Sequence, residues 1–453
     1  MKKIHIISIG GAVMHNIAIQ LARKGYEITG SDDILFDPSR SRLEEAGLLP
    51  EKLGWNPDLV HPDLDFIILG MHAKSDNPEL LRAQELGLKI YSFPSFIREQ
   101  AKEQKRIVVA GSHGKTTTAS MIVHILGKLG IKSDHLIGAQ LDGVTDIVTF
   151  HGHPYYIIEG DEYPSSAIDS RPKFLHYDPD FLIITGIAWD HMNVFPTYES
   201  YFKSFVSLLE SIRPDCKVIY NAQDEEVVRL MARFSHQNAI PYRHLDYDIR
   251  SGKYIVDQQY EMNIIGAHNI ENLTAAVTLC ETLGITQKDS LTASQSFRGA
   301  ARRLQPLLSG PRGNAYLDFA HAPSKVTASV KAVDSLHPQN KLLAVLELHT
   351  FSSLNREFLP QYRGSLDRAE KAIVMFDSKI MANKNMPPLD DDIIYTSFGR
   401  RDLLIVRSGA ELTTALEKLI PGEETEKSDI LFMSSGSFGG IDLKKKLLEL
   451  WNL

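Results

Sequence analysis

The stretch Arg106–Thr118, RIVVAGSHGKTTT, constrains this chain more than any other, because an apolar run meets two glycines and then a lysine and three threonines. The β-branched run Arg106–Ala110 predicts a strand, and Met121, Ile122, Ile125, Leu126 and Leu129 recur at helical spacing behind it, predicting a helix with one buried face. Strand, glycine loop and helix in that order let backbone N–H groups approach phosphate oxygens. The helix N-terminus adds positive potential. The segment Gly111-Ser112-His113-Gly114-Lys115-Thr116-Thr117 is therefore read as a phosphate cradle. Lys115 is expected to reach the β- and γ-phosphates, and the Thr116 hydroxyl to ligate Mg²⁺. Two residues separate the glycines, not the four of the general GxxxxGK[ST] loop. A structural turn before a helix is the competing explanation, and the GKTTT sequel weighs against it.

At 453 residues the chain calls for two or three domains, each with its own core. Ile4–Ile9, Glu27–Thr29 and Phe66–Leu69 are short extended runs separated by helical patterns such as Ala18, Leu21 and Ala22. That alternation predicts a parallel sheet with crossover helices. The charged segment Arg98–Arg106 ends this unit, with a boundary placed near residue 103. A second unit, 104–303, holds the phosphate loop and strands at Tyr155–Ile158 and Phe181–Thr185. A third, 304–453, carries apolar runs at Leu342–Leu346, Ala372–Phe376 and Ile430–Met433, with a turn at Gly310-Pro311-Arg312-Gly313. The expected fold class is α/β in three domains.

Composition excludes several classes. No run approaches the roughly 18 apolar residues of a membrane helix, so no membrane insertion is expected. Two lysines before a short apolar stretch at the N-terminus read as a first strand rather than a secretion signal. With only Cys216 and Cys280, neither a disulfide framework nor a zinc site is indicated, and the cytoplasm is the expected location. The net charge of −8 comes without a basic tract, so no nucleic-acid partner is expected.

Two further features bear on chemistry. Tyr155–Ile158 leads into Glu159-Gly160-Asp161-Glu162, which puts a carboxylate at a strand's C-terminal end, where α/β sheets place ligands. Asp190-His191 follows the strand Phe181–Thr185. Thr116, Glu159 and His191 are together a candidate Mg²⁺ set, although imidazole is not a preferred Mg²⁺ ligand. The plainer alternatives are a capping pair at Asp190-His191 and a solvated face at Asp161-Glu162.

GSHGKTTT, the EGDE strand end, the DH pair, Gly266-Ala267-His268-Asn269-Ile270-Glu271-Asn272, Phe297–Arg303 and Asp318-Phe319-Ala320-His321-Ala322-Pro323 occur in the order that resembles the Mur ligases, over nearly the whole chain. The resemblance implies an ATP- and Mg²⁺-dependent amide-bond ligase. It also implies a Rossmann-like N-terminal domain for UDP, a central P-loop domain and a Rossmann-like C-terminal domain. Lys115 is then on the ATP phosphates, with Thr116, Glu159 and His191 at magnesium. His268, Asn269 and Asn272 surround the adenine, Arg303 reaches the phosphates, and Asp318 and His321 complete the nucleotide site. Gly10, Gly11, Ser31 and Asp32 are the UDP candidates. Independently, Asp32 follows the glycines by about twenty residues, as a ribose-binding acid does in dinucleotide folds, but Gly10–Met14 is not GxGxxG. The HNxxN stretch His268–Asn272 also reads as a helix N-cap before Ala275-Ala276, and both readings can hold together because ligands often bind at helix starts.

Within the family, Asp161-Glu162-Tyr163, Ala167, Asp169, Arg171, Lys173-Phe174 and His176-Tyr177 resemble the pattern EADEYDxAFFDxRSKFxHY. That pattern belongs to the branch joining the recycled tripeptide L-Ala-γ-D-Glu-meso-diaminopimelate to UDP-N-acetylmuramate. The branch adding L-alanine reads EADESD. Lys74–Pro78 also resembles the recycling branch's SRGNP stretch. Departures are Pro164 for Asp, His15-Asn16 for a small pair and Ala322 for His. The position of the carbamoylated lysine found in some Mur ligases falls near Phe205 or Val206, so none is expected. The competing readings are the L-alanine ligase and a non-catalytic nucleotide-binding regulator. A monomer or weak homo-oligomer is expected.

Overall fold

The computed structural model describes residues 1–139, 146–234, 237–299, 302–384, 386–420 and 427–451. Ala300 and Ala301, within the Phe297–Arg303 motif, lie outside them. The chain packs as two compact units. One comprises Met1–Ile187, Phe202–Arg243 and Ala275–Ala293; the other comprises Ala188–Tyr201, His244–Thr274 and Ser294–Leu453.

The first unit holds two parallel sheets. Its N-terminal sheet has the strand order Glu27–Ser31, Lys3–Ile7, Phe66–Leu69, Ile90–Ser92. Ile4, Ile6, Ile7, Ile67, Ile68 and Leu69 are fully buried, which explains why these strands read as continuous apolar runs rather than alternating ones. Helix Ala12–Arg23 crosses from the first strand to the second and buries Ile17, Ala18 and Leu21. Its first turn contains His15 and Asn16, whose side chains turn back onto the helix: His15 Nδ1 lies 2.9 Å from Gly11 O, and Asn16 Nδ2 donates to Ala12 O at 2.8 Å.

The larger sheet runs Ala239–Tyr242, Lys217–Asn221, Phe181–Ile184, Lys105–Ala110, Tyr155–Gly160, Ser133–Leu136, again all parallel. Its register aligns Ala110 with both Gly160 and Ile184, so three strands end level at the edge where the glycine loop begins. Asp146 ties this part to the N-terminal sheet's helices by accepting from Gln20 Nε2 (2.9 Å), Arg23 Nη1 (2.7 Å) and Arg42 Nη2 (2.9 Å).

The second unit contains a six-stranded sheet of order Gln305–Gly310, Gly313–Asp318, Ser428–Met433, Lys341–Glu347, Lys371–Met375, Leu404–Val406. Its first pair is an antiparallel hairpin closed at Gly310 and Gly313, the turn predicted from sequence; the other pairings are parallel. Gly313 has φ 130°, and a Cβ there would lie 2.1 Å from Ser428 O, so only glycine fits. The core packs Val345, Ile373, Ile430 and Phe432 against Leu412, Leu416 and Trp451. A three-stranded antiparallel sheet, Tyr247–Arg250, Lys253–Val256 and Tyr260–Met262, was not expected. Its strands are at most 4 residues long and carry Asp, Arg, Lys and Glu, so no apolar run announced them.

Behind the strand end at Ser31 lies a buried carboxylate, Glu79. It accepts from the Ser31 hydroxyl and from Asn56 N (2.6 Å), and its Oε2 lies 3.2 Å from His5 Nε2. Replacing it by Ala strands these donors in the interior, and Glu79→Ala is expected to lose about 3 kcal/mol of stability. Urea unfolding should show a lower midpoint for Glu79→Ala than for Glu79→Gln, which retains one acceptor oxygen. Equal midpoints for Ala and wild type contradict the role assigned to Glu79.

Candidate active site

Strand Lys105–Ala110 leaves its sheet through Gly111 at φ 137° and enters helix Lys115–Lys128 through Gly114 at φ 81°. Both angles lie where a Cβ is disfavoured. A side chain at 111 would also place its Cβ 2.2 Å from Thr185 Oγ1. The loop is stitched to the neighbouring strand end: Ser112 N donates to Gly186 O at 2.9 Å, and Thr185 Oγ1 donates to His113 O at 2.5 Å. The N-cap residue of this helix is Gly114, which has no side chain to cap it. A helix N-terminus opened by a glycine is suited to an anion.

Lys115 Nζ donates to Gly111 O at 2.5 Å and to Glu162 Oε2 at 2.9 Å. Burial pulls the pKa of this ammonium down, but Glu162, Asp161 and Glu159 more than offset it, and the net shift is upward. Lys115 is therefore a cation throughout the physiological range. Thr116 Oγ1 donates to Glu159 Oε1 at 2.6 Å, and Gly138 N donates to Glu159 Oε2 at 2.7 Å. The structure thus brings Lys115, Thr116 and Glu159 together. A hydroxyl and a carboxylate are hard oxygen donors of the kind Mg²⁺ prefers.

Sequence reasoning missed Glu162, for which a solvated face was the plainer alternative. It is fully buried beneath Lys115. Asp161 instead faces Lys173, 2.7 Å away. The short hairpin of Pro164–Ser166 and Asp169–Pro172 brings Lys173 back, and its signal was the Asp169–Arg171–Lys173 pattern itself.

In the N-terminal sheet Asp32 Oδ2 accepts from Gly10 N at 2.7 Å, and a Cβ at Gly10 would crowd that oxygen at 2.8 Å. Burial raises the Asp32 carboxyl's pKa, against the Gly10 hydrogen bond and with the help of Asp33. Gly11 caps helix Ala12–Arg23 without a side chain. Gly10 and Gly11, after the first strand, and Asp32, after the second, therefore meet at the ends of adjacent strands. The Ser31 hydroxyl points away from it, to Glu79.

The remaining predicted residues belong to the second unit. Asn269 is not a helix cap: the helix begins at Ala267, Asn269 Nδ2 donates to Ile265 O (2.7 Å), and Asn272 Nδ2 donates to Asn269 Oδ1 (3.1 Å). His268 has its pKa lowered by burial, against the pull of Asp318. Asp318 organises the start of the C-terminal sheet's ligand edge, accepting from Leu304 N (3.1 Å), Phe319 N (2.9 Å) and the Ser329 hydroxyl. The Arg303 guanidinium lies 4.8 Å from the Phe319 ring centroid, while Arg302 Nη2 donates to Ser434 O (3.0 Å) and Gly436 O (2.6 Å). Ala322 is buried at the start of helix Pro323–Leu336.

His321 Nδ1 donates to Phe319 O at 2.9 Å, and its own carbonyl accepts from the Tyr362 hydroxyl. Burial, then Lys325, push its pKa down to about 3. Asp190 is held at about 2: burial alone would raise it, but Lys325, His191 and His321 lower it. Asp190 and His191 adjoin no helix, the next beginning at Tyr198 behind Thr197, whose Oγ1 accepts from Ser200 N (3.1 Å), so they are not a capping pair.

A glycine-walled loop with a buried, permanently charged lysine and an oxygen pair beside it defines a P-loop protein that handles nucleotide phosphates. The chain matches the Mur ligase family catalytic domain over residues 3–105 and the Mur ligase middle domain over residues 109–280. It is 30% identical to the UDP-N-acetylmuramate–L-alanine ligase of Caldicellulosiruptor saccharolyticus, covering 83% of each chain. It is 27% identical to the UDP-N-acetylmuramate–L-alanyl-γ-D-glutamyl-meso-2,6-diaminoheptandioate ligase of Haemophilus influenzae, covering 98% of each. The fold is that of a murein peptide ligase from Psychrobacter arcticus, with a TM-score of 0.68 at 22% identity, covering 100% of this chain and 99% of that one. The chain belongs to the Mur ligase family and, with it, to the ATP-dependent ligases.

The His321 shift sets a pH dependence. Because the folded pKa of about 3 lies below the ordinary 6.5, the unfolded chain takes up the proton first as pH falls. The stabilisation is complete above pH 6.5 and is lost towards about 3, at up to ~1.4 kcal/mol per pH unit. Denaturant unfolding at a series of pH values should show His321→Asn with a shallower loss of stability over that window. A slope equal to that of wild type contradicts the assignment.

Proposed function

We propose that the chain joins the tripeptide L-Ala-γ-D-Glu-meso-diaminopimelate to UDP-N-acetylmuramate at the expense of ATP, a cytoplasmic step of peptidoglycan recycling. The observation that carries the chemistry is the Lys115–Thr116–Glu159 cluster at the level ends of parallel strands. The choice of amine donor is supported by the Asp161–Tyr177 stretch and by likeness, over nearly its whole length, to a relative named for that tripeptide.

Residues 1–103 form the UDP-sugar domain, with Gly10, Gly11, Ser31 and Asp32 at the nucleotide; Ser31 acts indirectly, through Glu79. Residues 104–303 carry the phosphate site of Gly111, Ser112, His113, Gly114, Lys115, Thr116 and Thr117, and 304–453 the amine-donor domain. His268, Asn269 and Asn272 serve the adenine, Arg303 the phosphates, and Asp318 and His321 shape the nucleotide site. Thr116, Glu159 and His191 would hold Mg²⁺, which when bound neutralises charge on the transferring phosphoryl group.

A carboxylate is a poor electrophile. Transfer of the γ-phosphoryl to the acceptor carboxylate forms a P–O bond, breaks the β–γ bridge and releases ADP, leaving an acyl phosphate. The peptide's free amine then attacks the acyl carbon, the C–O bond to phosphate breaks, and phosphate leaves with an amide in place. Lys115 leaves Glu162 to balance the γ-phosphate charge, and Arg303 supports it. Burial and Lys325 hold the His321 imidazole neutral, as a polar group of the nucleotide site.

The L-alanine ligase is the second reading, favoured by the relative that is 30% identical. Phosphate release from ATP and Mg²⁺ with UDP-N-acetylmuramate should occur with the tripeptide and not with L-alanine. Turnover with L-alanine alone overturns the choice of donor; release with neither overturns the ligase reading for these substrates. Lys115→Ala should lower turnover by at least about 10³-fold at an unchanged fold, and wild-type turnover contradicts its role.

A further inference from the structure

The phosphate loop stands at one end of the larger sheet, and the opposite end gathers a second set of metal-binding side chains. Asp134 lies near the start of strand Ser133–Leu136 and pairs in register with Tyr156, near the start of Tyr155–Gly160. His151-Gly152-His153 comes just before that second strand. The returning chain runs back beside the first strand, where Thr149 N donates to His135 O at 3.0 Å, and so delivers both histidines to Asp134. One ligand atom from each of Asp134, His151 and His153 lies within 4.8 Å of the others. The two imidazole rings stack, with centroids 5.2 Å apart and planes 20° from parallel.

The Asp134 side chain is fully buried, and among the described residues no lysine or arginine pairs with it. A buried charge is ordinarily matched by an opposite charge or a metal. Burial alone would raise its pKa, but the N–H groups of His151 and His153 hold it below the ordinary carboxylate range, so it stays ionised. Its Oδ2 accepts from Gln104 Nε2 (3.0 Å), Gly152 N (2.9 Å) and His153 N (2.9 Å). Its Oδ1 accepts from His151 N at 2.7 Å and lies 3.0 Å from His151 Nδ1. Two ligands each bound at about 2.0 Å to a tetrahedral zinc are about 3.3 Å apart, so this oxygen and nitrogen already stand near the spacing of two ligands on one ion. His151 is 57% exposed and His153 partly exposed, which leaves both rings room to turn towards it.

We propose that Asp134, His151 and His153 form a site for Zn²⁺, distinct from the Mg²⁺ position at the phosphate loop. Two imidazole nitrogens and one carboxylate oxygen suit zinc, whereas Mg²⁺ takes oxygen ligands. The two buried cysteines are not needed for it. With the ion on Nδ1, the neutral His151 ring carries its proton on Nε2. Water completes the coordination, since the chain supplies three ligands. The ion offsets the buried charge of Asp134 and clasps the 151–153 segment onto strand Ser133–Leu136. The site stands whether or not the chain is a tripeptide ligase.

Calorimetric titration of Zn²⁺ into the metal-stripped full-length protein, without a histidine tag and without nucleotide, tests this apart from turnover. A single tight site is expected, and His151→Asn/His153→Asn should weaken it by at least about tenfold. Zn²⁺ should also raise the thermal unfolding midpoint of the wild type and leave that of the double variant where it was. Glu159→Gln, at the phosphate loop, should bind Zn²⁺ as the wild type does. Asp134→Asn keeps an acceptor oxygen and removes the charge, and it should weaken binding as the histidine pair does. The histidine pair, whose side chains lie outside the core, decides the question should Asp134→Asn not fold. Equal affinity in the wild type and the double histidine variant overturns the site, as does the absence of Zn²⁺ binding in the wild type. Loss of binding in Glu159→Gln alone places the ion at the phosphate loop and also overturns it.

Discussion

The phosphate loop depends on one buried charge. Lys115 is packed among Glu162, Asp161 and Glu159 at the ends of strands that the register keeps level. An ammonium this enclosed stays protonated only because carboxylates surround it, and a buried carboxylate such as Glu162 is tolerable only because the ammonium is there. The glycines at 111 and 114 follow from the same constraint: the loop must fold back tightly enough for Gly111 O to accept from Lys115. On the proposed reading, an arriving triphosphate takes the place of Glu162 as the partner of Lys115. The site is then charge-balanced both with and without its nucleotide.

The other elements repeat this use of one acid to fix a backbone. Asp32 holds Gly10 N, Asp190 holds His191 N, and Asp318 holds Leu304 N and Phe319 N. Each stands where a strand has ended or a loop turns towards the ligand edge of a sheet. A carboxylate accepting backbone N–H groups is rigid, and rigidity of this kind lets a few residues present donors and ligands in fixed directions.

Much of this was legible in the sequence. Buried parallel strands are continuous apolar runs, so Phe66–Leu69 was placed as found, and the expected runs at Arg106–Ala110 and Leu342–Leu346 needed only extension to Lys105–Ala110 and Lys341–Glu347. The glycine loop was legible from its place between strand and helix and from the GKTTT that follows it, although its glycine spacing departs from the general pattern. What sequence could not give was pairing across distance. Lys115 and Glu162 are 47 residues apart, and Asp190 and Lys325 are 135 apart. The fully buried Glu79 reads as an ordinary first-turn acid after Pro78. Short polar strands such as Tyr260–Met262 escape for the opposite reason, since they bury too little to impose a pattern. Asn269 has the composition of a cap but lies inside its helix, because Gly266 and Ala267 begin it earlier.

The account turns on ATP being spent to activate a carboxylate rather than to drive a conformational change. Labelling the carboxylate of UDP-N-acetylmuramate with ¹⁸O and collecting the phosphate released during ligation tests this directly. Passage through an acyl phosphate transfers one ¹⁸O from each labelled carboxylate to the released phosphate. Phosphate free of ¹⁸O, formed together with the amide product, contradicts the account.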